Sequence, residues 1–198
     1  MSSKFNLVKK AAYEYKVSHL LLFHGSGSEE RVKAVYELSA LLNCIGERRP
    51  CGNCPACKKI ESGNHPDVHM IAPPKTSIGI EQILSLQEKI FRSIYEGKYK
   101  ICLINEADKL TLPAANALLK IAEEPPDNTV IILSCGNIDG VIPTLQSRAQ
   151  DVYFPHPPQE AWEHNAQAFF MSGSDPDLAR RIEEYGIDNM KYLINEYV

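Results

Sequence analysis

Short apolar runs alternate with segments of helical spacing along most of this chain, and this alternation limits the folds it can adopt. Residues 19–23 are typical, because a leucine-rich run stops at a glycine turn, as in a strand buried on both faces. The predicted strands are residues 19–23, 68–71, 100–104, 129–134 and 151–154, and the predicted helices are residues 29–42, 79–95 and 113–123. This order predicts a three-layer α/β fold with a mainly parallel, five-stranded sheet.

The pattern changes after residues 155–158, a proline-rich stretch that has the composition of a hinge. Beyond it we predict helices and no further strand, over residues 159–171, 175–185 and 187–197. The chain is therefore divided into an α/β domain, residues 1–158, and a small helical domain, residues 159–198. The second part has eight acidic and three basic residues, and the first has 17 acidic and 18 basic. Neither part carries the large positive charge of a nucleic-acid clamp, so contact with DNA is expected through partners or a local patch.

Composition excludes several other classes. With 44% apolar residues and a net charge of −4, the chain of 198 residues is not of the disordered type. Its apolar runs are far shorter than the roughly 20 residues of a membrane span, and the first residues lack the pattern of a signal peptide. We therefore expect a cytoplasmic protein without a membrane partner, in which clustered cysteines are metal ligands rather than disulfides.

The turn after the first strand lies where α/β proteins bind phosphate groups. The nucleotide-binding pattern is G-x-x-x-x-G-K-[ST], and here the turn runs from Gly25 through Gly27 to Val32. Glu30 replaces the second glycine and would repel a phosphate, Arg31 replaces the lysine, and Val32 replaces the hydroxyl that holds Mg²⁺. The loop is thus degenerate in three of its four key positions.

The end of the third strand tests this interpretation independently. An active nucleotidase of this type has Asp-Glu there, the aspartate for Mg²⁺ and the glutamate for the attacking water. This chain has Asn105-Glu106, and a neutral amide is a weaker ligand for a hard cation. The losses at both places predict a nucleotidase scaffold that neither binds nor hydrolyses ATP. The alternative is that Gly25 merely makes a turn in an unrelated scaffold.

A cysteine cluster follows the first predicted helix, with the spacing C-x6-C-x2-C-x2-C. Its members are Cys44, Cys51, Cys54 and Cys57. Four thiolates can close a tetrahedral site around Zn²⁺ and leave no open position for a substrate, so we predict a structural zinc module over residues 44–57. Gly52 and Pro55 permit the tight turns between ligands. The alternative is a set of unmetallated or redox-active cysteines.

The residues quoted so far belong to a longer ordered pattern, which resembles bacterial clamp-loader subunits of the AAA+ superfamily. The resemblance is closest to the delta prime type of DNA polymerase III subunit and covers about residues 15–158. Besides the glycine loop and the cysteine module, the pattern includes Asn64-His65-Pro66-Asp67, Tyr99-Lys100-Ile101, residues 105–110, residues 115–120, Glu123-Glu124-Pro125-Pro126 and Ser147-Arg148.

The resemblance implies a P-loop NTPase-like domain followed by a helical lid, in a non-catalytic subunit of the clamp loader. The implied partners are gamma/tau and delta subunits and, through the complex, the sliding clamp and primed DNA. The related gamma/tau subunit shares the cysteine module but keeps an intact phosphate loop and hydrolyses ATP. The changes at Glu30, Arg31, Val32 and Asn105 favour the delta prime type.

The family also has a Ser-Arg-Cys motif that places an arginine at the subunit edge, facing the ATP of the neighbour. Here the motif is Ser147-Arg148-Ala149, so the arginine is kept and the cysteine is not. An arginine supplied in trans stabilises charge on the γ-phosphate oxygens. The resemblance therefore implies that Arg148 acts as an arginine finger. Without the resemblance, Arg148 would be interpreted as an ordinary surface residue.

Two other functions stay open at this stage. One is an ATPase of the gamma/tau type with an unusual loop, in which Arg31 and Glu106 act. The other is a DNA-binding zinc module that uses the basic residues flanking the cysteines, Arg48, Arg49, Lys58 and Lys59. Clamp-loader subunits of this kind carry a further helical collar domain, for which 198 residues leave no room. We therefore expect either a truncated piece of such a subunit or an unusually short relative, in both cases without the collar.

Overall fold

A parallel sheet of five strands forms the centre of the molecule, in the order β2-β3-β4-β1-β5. The computed structural model describes residues 3–25 and 27–155. The strands are β1 (Leu20–Gly25), β2 (Val68–Ile71), β3 (Lys100–Asn105), β4 (Thr129–Cys135) and β5 (Gln150–Phe154). The helices are α1 (Ser3–Tyr13), α2 (Ser28–Asn43), α3 (Pro55–Glu61), α4 (Ile80–Phe91), α5 (Leu112–Glu123) and α6 (Pro143–Gln146), with 3₁₀ turns at Ala107–Lys109 and Ile138–Gly140.

Helices cover both faces of this sheet. Leu20 and Leu22 of β1 point to one face, where they pack with the buried residues of α4 and α5. Leu21 and Phe23 point to the other, where they pack with α1 and α2. The central strands β1, β3 and β4 are apolar at successive positions because both faces are covered. The predicted three-layer fold and its five strands are confirmed.

The N-terminal helix α1 is an element that the sequence interpretation did not include. Its buried residues are Phe5, Val8 and Ala12. The Phe5 ring meets the ring of Phe23 edge-on at 5.7 Å and lies 5.9 Å from that of Phe154. The helix therefore packs over β1 and β5 and completes the core on its side of the sheet.

Helix α4 ends at Phe91, four residues before the predicted end at residue 95. Arg92 is extended, with φ −68° and ψ 155°. The carboxylate of Asp67 then accepts hydrogen bonds from the amides of Tyr95, Glu96 and Gly97. These bonds hold the chain in a turn that a continued helix could not make, so the prediction was wrong at this end.

A buried lysine lies at the carboxyl end of α4. Lys100 begins β3 and is 2% exposed. Its Nζ donates to the carbonyls of Lys89 at 2.8 Å and Ile90 at 3.1 Å, and also to that of Arg92. The last carbonyls of a helix have no partner within the helix, so this cation caps α4 from the neighbouring strand.

The cysteine segment lies between α2 and β2, as predicted for an inserted module, and it includes α3. Within residues 3–25 and 27–155, no helix has the length and apolar character needed to cross a membrane. The predicted helices of residues 159–198, and with them the division into two domains, lie outside the described residues.

Candidate functional site

The four predicted zinc ligands meet in space. The sulfurs of Cys44, Cys51, Cys54 and Cys57 all lie within 4.8 Å of one another. The distance between the Sγ atoms of Cys44 and Cys54 is 3.9 Å. A tetrahedral zinc ion with Zn–S bonds of about 2.3 Å requires sulfurs about 3.8 Å apart. The donor set and its spacing therefore fit a closed zinc site, in which this chain supplies all four ligands.

Backbone amides surround the sulfurs. Cys44 Sγ accepts from the amides of Gly46 at 3.3 Å and Cys51 at 3.4 Å. Cys54 Sγ accepts from the amide of Cys57 at 3.5 Å. Such donors orient the ligands and favour the thiolate form. A side chain at Gly46 would place its Cβ 3.0 Å from the Cys51 sulfur and would crowd this ligand, so glycine fits this position well. The sequence interpretation singled out Gly52, which has φ +72°, and missed Gly46.

The thiols differ in acidity. Burial raises the pKa of Cys57 to about 12. Burial also acts to raise the pKa of Cys54, but hydrogen bonds from the amides of Cys57 and Ile45, together with those to the Cys57 and Cys51 side chains, outweigh it and lower that pKa to about 6. A bound metal ion deprotonates coordinating thiols outright and so supplies the positive charge that the buried Cys57 needs as a thiolate. The four cysteines together therefore fit a bound metal cation.

Two of the four basic residues beside the cysteines are engaged within the chain. The guanidinium of Arg49 lies 4.3 Å from the centre of the Tyr15 ring and donates to the Tyr13 carbonyl at 2.7 Å. Lys59 is ion-paired with Glu96 at 2.6 Å. These contacts tie the module to the rest of the domain, which weakens its interpretation as a DNA-binding module.

The degenerate phosphate loop connects β1 to α2. Gly25 has φ +105°, and a Cβ there would lie 2.2 Å from the carbonyl oxygen of Phe154. Gly27, with φ +72°, is the N-cap residue that precedes α2. The positive φ favours glycine at both positions, of which Gly25 is the first glycine of the loop pattern and Gly27 lies outside it.

Arg31 lies across the carboxyl edge of the sheet. Its side chain is buried, and Nε donates to Ser134 Oγ at the end of β4 at 3.0 Å. Another nitrogen of the same guanidinium donates to the carbonyl of Gly25. The arginine that replaces the loop lysine is therefore bound to the loop and to the sheet of its own chain.

The other residues of the predicted nucleotide site differ in exposure and surroundings. Asn105 is half-buried at the end of β3, opposite Ser134 in the register. Glu106 is exposed, in the left-handed backbone region with φ +54°. Glu30 is exposed on the first turn of α2, and Val32 packs against the core of the α1–α2 face. Among the described residues, the arrangement joins Arg31 to Gly25 and Ser134.

Arg148 follows α6, on a surface shared with the end of α5. Its side chain is 42% exposed. Nη2 lies 2.8 Å from Glu123 Oε1, and Nη1 donates to the Thr144 carbonyl at 3.1 Å. The hydroxyl of Ser147 donates to the same carbonyl at 3.2 Å. The pairing with Glu123 joins two motifs of the sequence that had no predicted connection.

Comparison with known proteins identifies the family. A family model described as DNA polymerase III, delta subunit, matches residues 2–158. The chain belongs to this family. It is 38% identical over 140 residues to DNA polymerase III subunit delta' of Bacillus subtilis, an alignment that covers 70% of this chain and 43% of that protein. The identity with the delta' subunit of Escherichia coli is 34%, over 64% of this chain and 39% of that protein. The recognition of the delta prime type from sequence motifs is confirmed.

The chain is also similar to other DNA polymerase III subunits and to a branch migration motor. The chain is 31% identical to the tau subunit of B. subtilis, in an alignment that covers 72% of this chain and 26% of the tau subunit. Among solved structures, a DNA polymerase III gamma subunit-related protein of Thermotoga maritima has a TM-score of 0.63 at 21% identity, with 98% of this chain and 62% of that chain covered. The RuvB branch migration motor of the same organism has a TM-score of 0.52 at 11% identity, over 97% and 62% of the two chains. The AAA+ fold is thus confirmed. The chain spans about two fifths of the length of the delta' subunit of B. subtilis.

Proposed function

We propose that this chain is a non-catalytic subunit of the DNA polymerase III clamp loader and acts in DNA replication. It assembles with ATP-hydrolysing gamma/tau-type subunits and with a delta-type subunit. Through the complex, it takes part in loading the sliding clamp on primed DNA. Family membership over residues 2–158 supports this role. We also propose the division into an α/β domain, residues 1–158, and a helical lid, residues 159–198.

The position of Arg31 carries the non-catalytic part of the proposal. In an active loop, the lysine at this place reaches the nucleotide phosphates. The guanidinium of Arg31 instead donates hydrogen bonds to the carbonyl of Gly25 and the hydroxyl of Ser134. These bonds hold the guanidinium against the loop and the sheet of its own chain, while Val32 offers no oxygen to Mg²⁺. ATP is therefore neither bound nor hydrolysed here, and zinc is the cofactor, in a structural role.

Arg148 is the residue to which we assign a catalytic role. It acts as an arginine finger on the ATP that a neighbouring subunit binds. Its half-exposed guanidinium, at a surface beyond α6, supports this role. The planar fork of an arginine matches phosphate oxygens and stabilises the charge that develops on them in the transition state.

Reconstitution tests assembly and the finger together. The chain is expected to co-purify with gamma/tau-type and delta-type subunits, and failure to do so would overturn the proposal. In the complex, Arg148→Ala should lower clamp-stimulated ATP turnover and clamp loading by roughly 10-fold or more, since trans arginines contribute strongly to phosphoryl transfer. Arg92→Ala, at an exposed arginine after α4, is the matched control and should leave both unchanged.

The identity with a tau subunit favours one second candidate, an ATP-hydrolysing subunit of the gamma/tau type. Nucleotide titration of the isolated chain separates the two. Tight ATP binding with Mg²⁺-dependent turnover would establish the second candidate and refute the first.

A further inference from the structure

The glutamate that ends α5 contacts the proposed finger. Glu123 is the last residue of α5 and the first of Glu123-Glu124-Pro125-Pro126, a motif that sequence alone explains as a helix stop. In the structure, its Oε1 lies 2.8 Å from Nη2 of Arg148. Glu124 is also exposed, so the two neighbouring carboxylates provide an internal comparison.

Helix stability does not explain a glutamate at this position. The carboxyl end of a helix carries partial negative charge, so a carboxylate there is unfavourable and a lysine or arginine would be preferred. The prolines stop the helix whichever residue precedes them. Since Glu123 and Arg148 are each about half exposed, their ion pair adds little to the stability of the fold.

The pair does, however, fix the guanidinium. Arg148 is held at two nitrogens by two different elements: Nη2 by Glu123 at the end of α5, and Nη1 by the Thr144 carbonyl of α6. A γ-phosphate from a neighbouring subunit would approach the same exposed guanidinium as an anion. It would therefore compete with the Glu123 carboxylate for Nη2, while the bond to Thr144 could remain.

We infer that Glu123 is a positioning residue that restrains Arg148 until the subunit interface closes. This inference rests on the proposed function of Arg148. The carboxylate holds the guanidinium in a resting orientation, and the nucleotide of the neighbour displaces it. Glu123 thereby keeps ATP turnover low in the absence of clamp and DNA, and it sets how tightly the neighbour's site binds ATP.

The test measures ATP turnover of the reconstituted complex with and without clamp and primed DNA. Glu123→Gln should raise the unstimulated turnover and lower the KM for ATP, each roughly 1.5- to 5-fold, the range that a half-exposed ion pair corresponds to. The stimulated kcat should stay unchanged. Glu123→Asp, which keeps the charge but is one methylene shorter, should behave like the glutamine variant, and Glu124→Gln should match the unmodified complex.

The outcomes separate the inference from the function beneath it. If Arg148→Ala has no effect, the finger itself is refuted. If Arg148→Ala lowers turnover but Glu123→Gln equals Glu124→Gln, the restraint is refuted and the finger stands. A Glu123→Gln variant that loses stimulated turnover would also overturn the restraint. In the Arg148→Ala background, Glu123→Gln should have no further effect, because the group that it restrains is absent.

Discussion

At the scale of single residues, the carboxylate of Asp67 has the most demanding environment. It is 1% exposed and accepts three backbone hydrogen bonds, from Tyr95 at 2.7 Å, Glu96 at 2.9 Å and Gly97 at 2.8 Å. Burial acts to raise its pKa, but the three amides and the nearby His65 outweigh burial, and the pKa lies below the ordinary value. The charged form of Asp67 is therefore favoured by folding.

Replacing Asp67 by asparagine should destabilise the protein in a pH-dependent way. At pH 7 we expect a loss of about 1–3 kcal/mol in the free energy of unfolding, because the amide group offers one acceptor where two oxygens are used. The folded pKa is depressed, so the contribution of Asp67 is complete above the unfolded pKa of about 3.9 and is lost as the pH falls through the folded pKa. The gap between the two proteins in urea unfolding should thus be constant from pH 7 to 5 and shrink below about pH 4. Asp127→Asn, at an exposed position, is the control; a gap that persists undiminished at the lowest pH would contradict this account.

Sequence identified those residues whose partners lie close along the chain. The four cysteines fall within fourteen positions, so their spacing alone predicts a common site. The contact of Arg31 with Ser134 spans 103 positions and depends on β1 lying next to β4, which no local pattern specifies. The pairing of Glu123 with Arg148 likewise depends on how α5 packs beside α6.

At the scale of elements, the end of α4 depends on a residue of another element. Lys100 caps this helix by donating to its last carbonyls from the start of β3. Lys100→Met keeps an unbranched side chain of nearly the same length but leaves the buried carbonyls without their donor. We expect the free energy of unfolding to fall by about 1.5–3 kcal/mol, as for the loss of a charged hydrogen bond.

Urea unfolding and amide hydrogen exchange of the last turn of α4 would measure this effect. Lys89→Met is the matched control, since Lys89 contributes its carbonyl to the same cap while its side chain is exposed. Equal stability of the two variants would show that the cap contributes nothing.

The elements themselves followed closely from the sequence, with two instructive exceptions. Continuous apolar runs predicted the central strands β1, β3 and β4, which are buried along most of their length, whereas the edge strands β2 and β5 have mixed sequences and were predicted from short segments. Helix α1 was missed although Phe5, Val8 and Ala12 have the spacing i, i+3, i+7, which could have revealed it. The end of α4 had no glycine or proline to mark it, and it is determined by Lys100 and by the turn bound to Asp67.

At the scale of the whole molecule, the cysteine module connects parts of the domain that are distant along the chain. Arg49 lies on the ring of Tyr15 and binds the last residue of α1, and Lys59 of α3 pairs with Glu96 in the turn before β3. The Tyr13 hydroxyl donates to the carbonyl of Arg49 at 2.7 Å, so the contact with α1 is reciprocal. A structural change in the module should therefore also affect α1 and the turn before β3.

Removal of the metal should accordingly loosen the module and its contacts while the sheet remains folded. We expect one zinc per chain in the purified protein. Chelation should lower Tm by roughly 4–8 °C, which corresponds to a loss of about 2 kcal/mol in a chain of this size. Hydrogen exchange should increase in residues 44–61 and around Tyr13 to Tyr15, because the thiolates repel one another without the cation. The amides of β3 and β4 should stay protected.

Cys54→Ser should show the same loosening without chelator and no further response to chelator. Cys135→Ser, which lies outside the cluster, should keep its metal and its response to chelator. Protein that contains no zinc and melts identically with and without chelator would mean that the four sulfurs, though gathered within 4.8 Å, are held together by the fold alone.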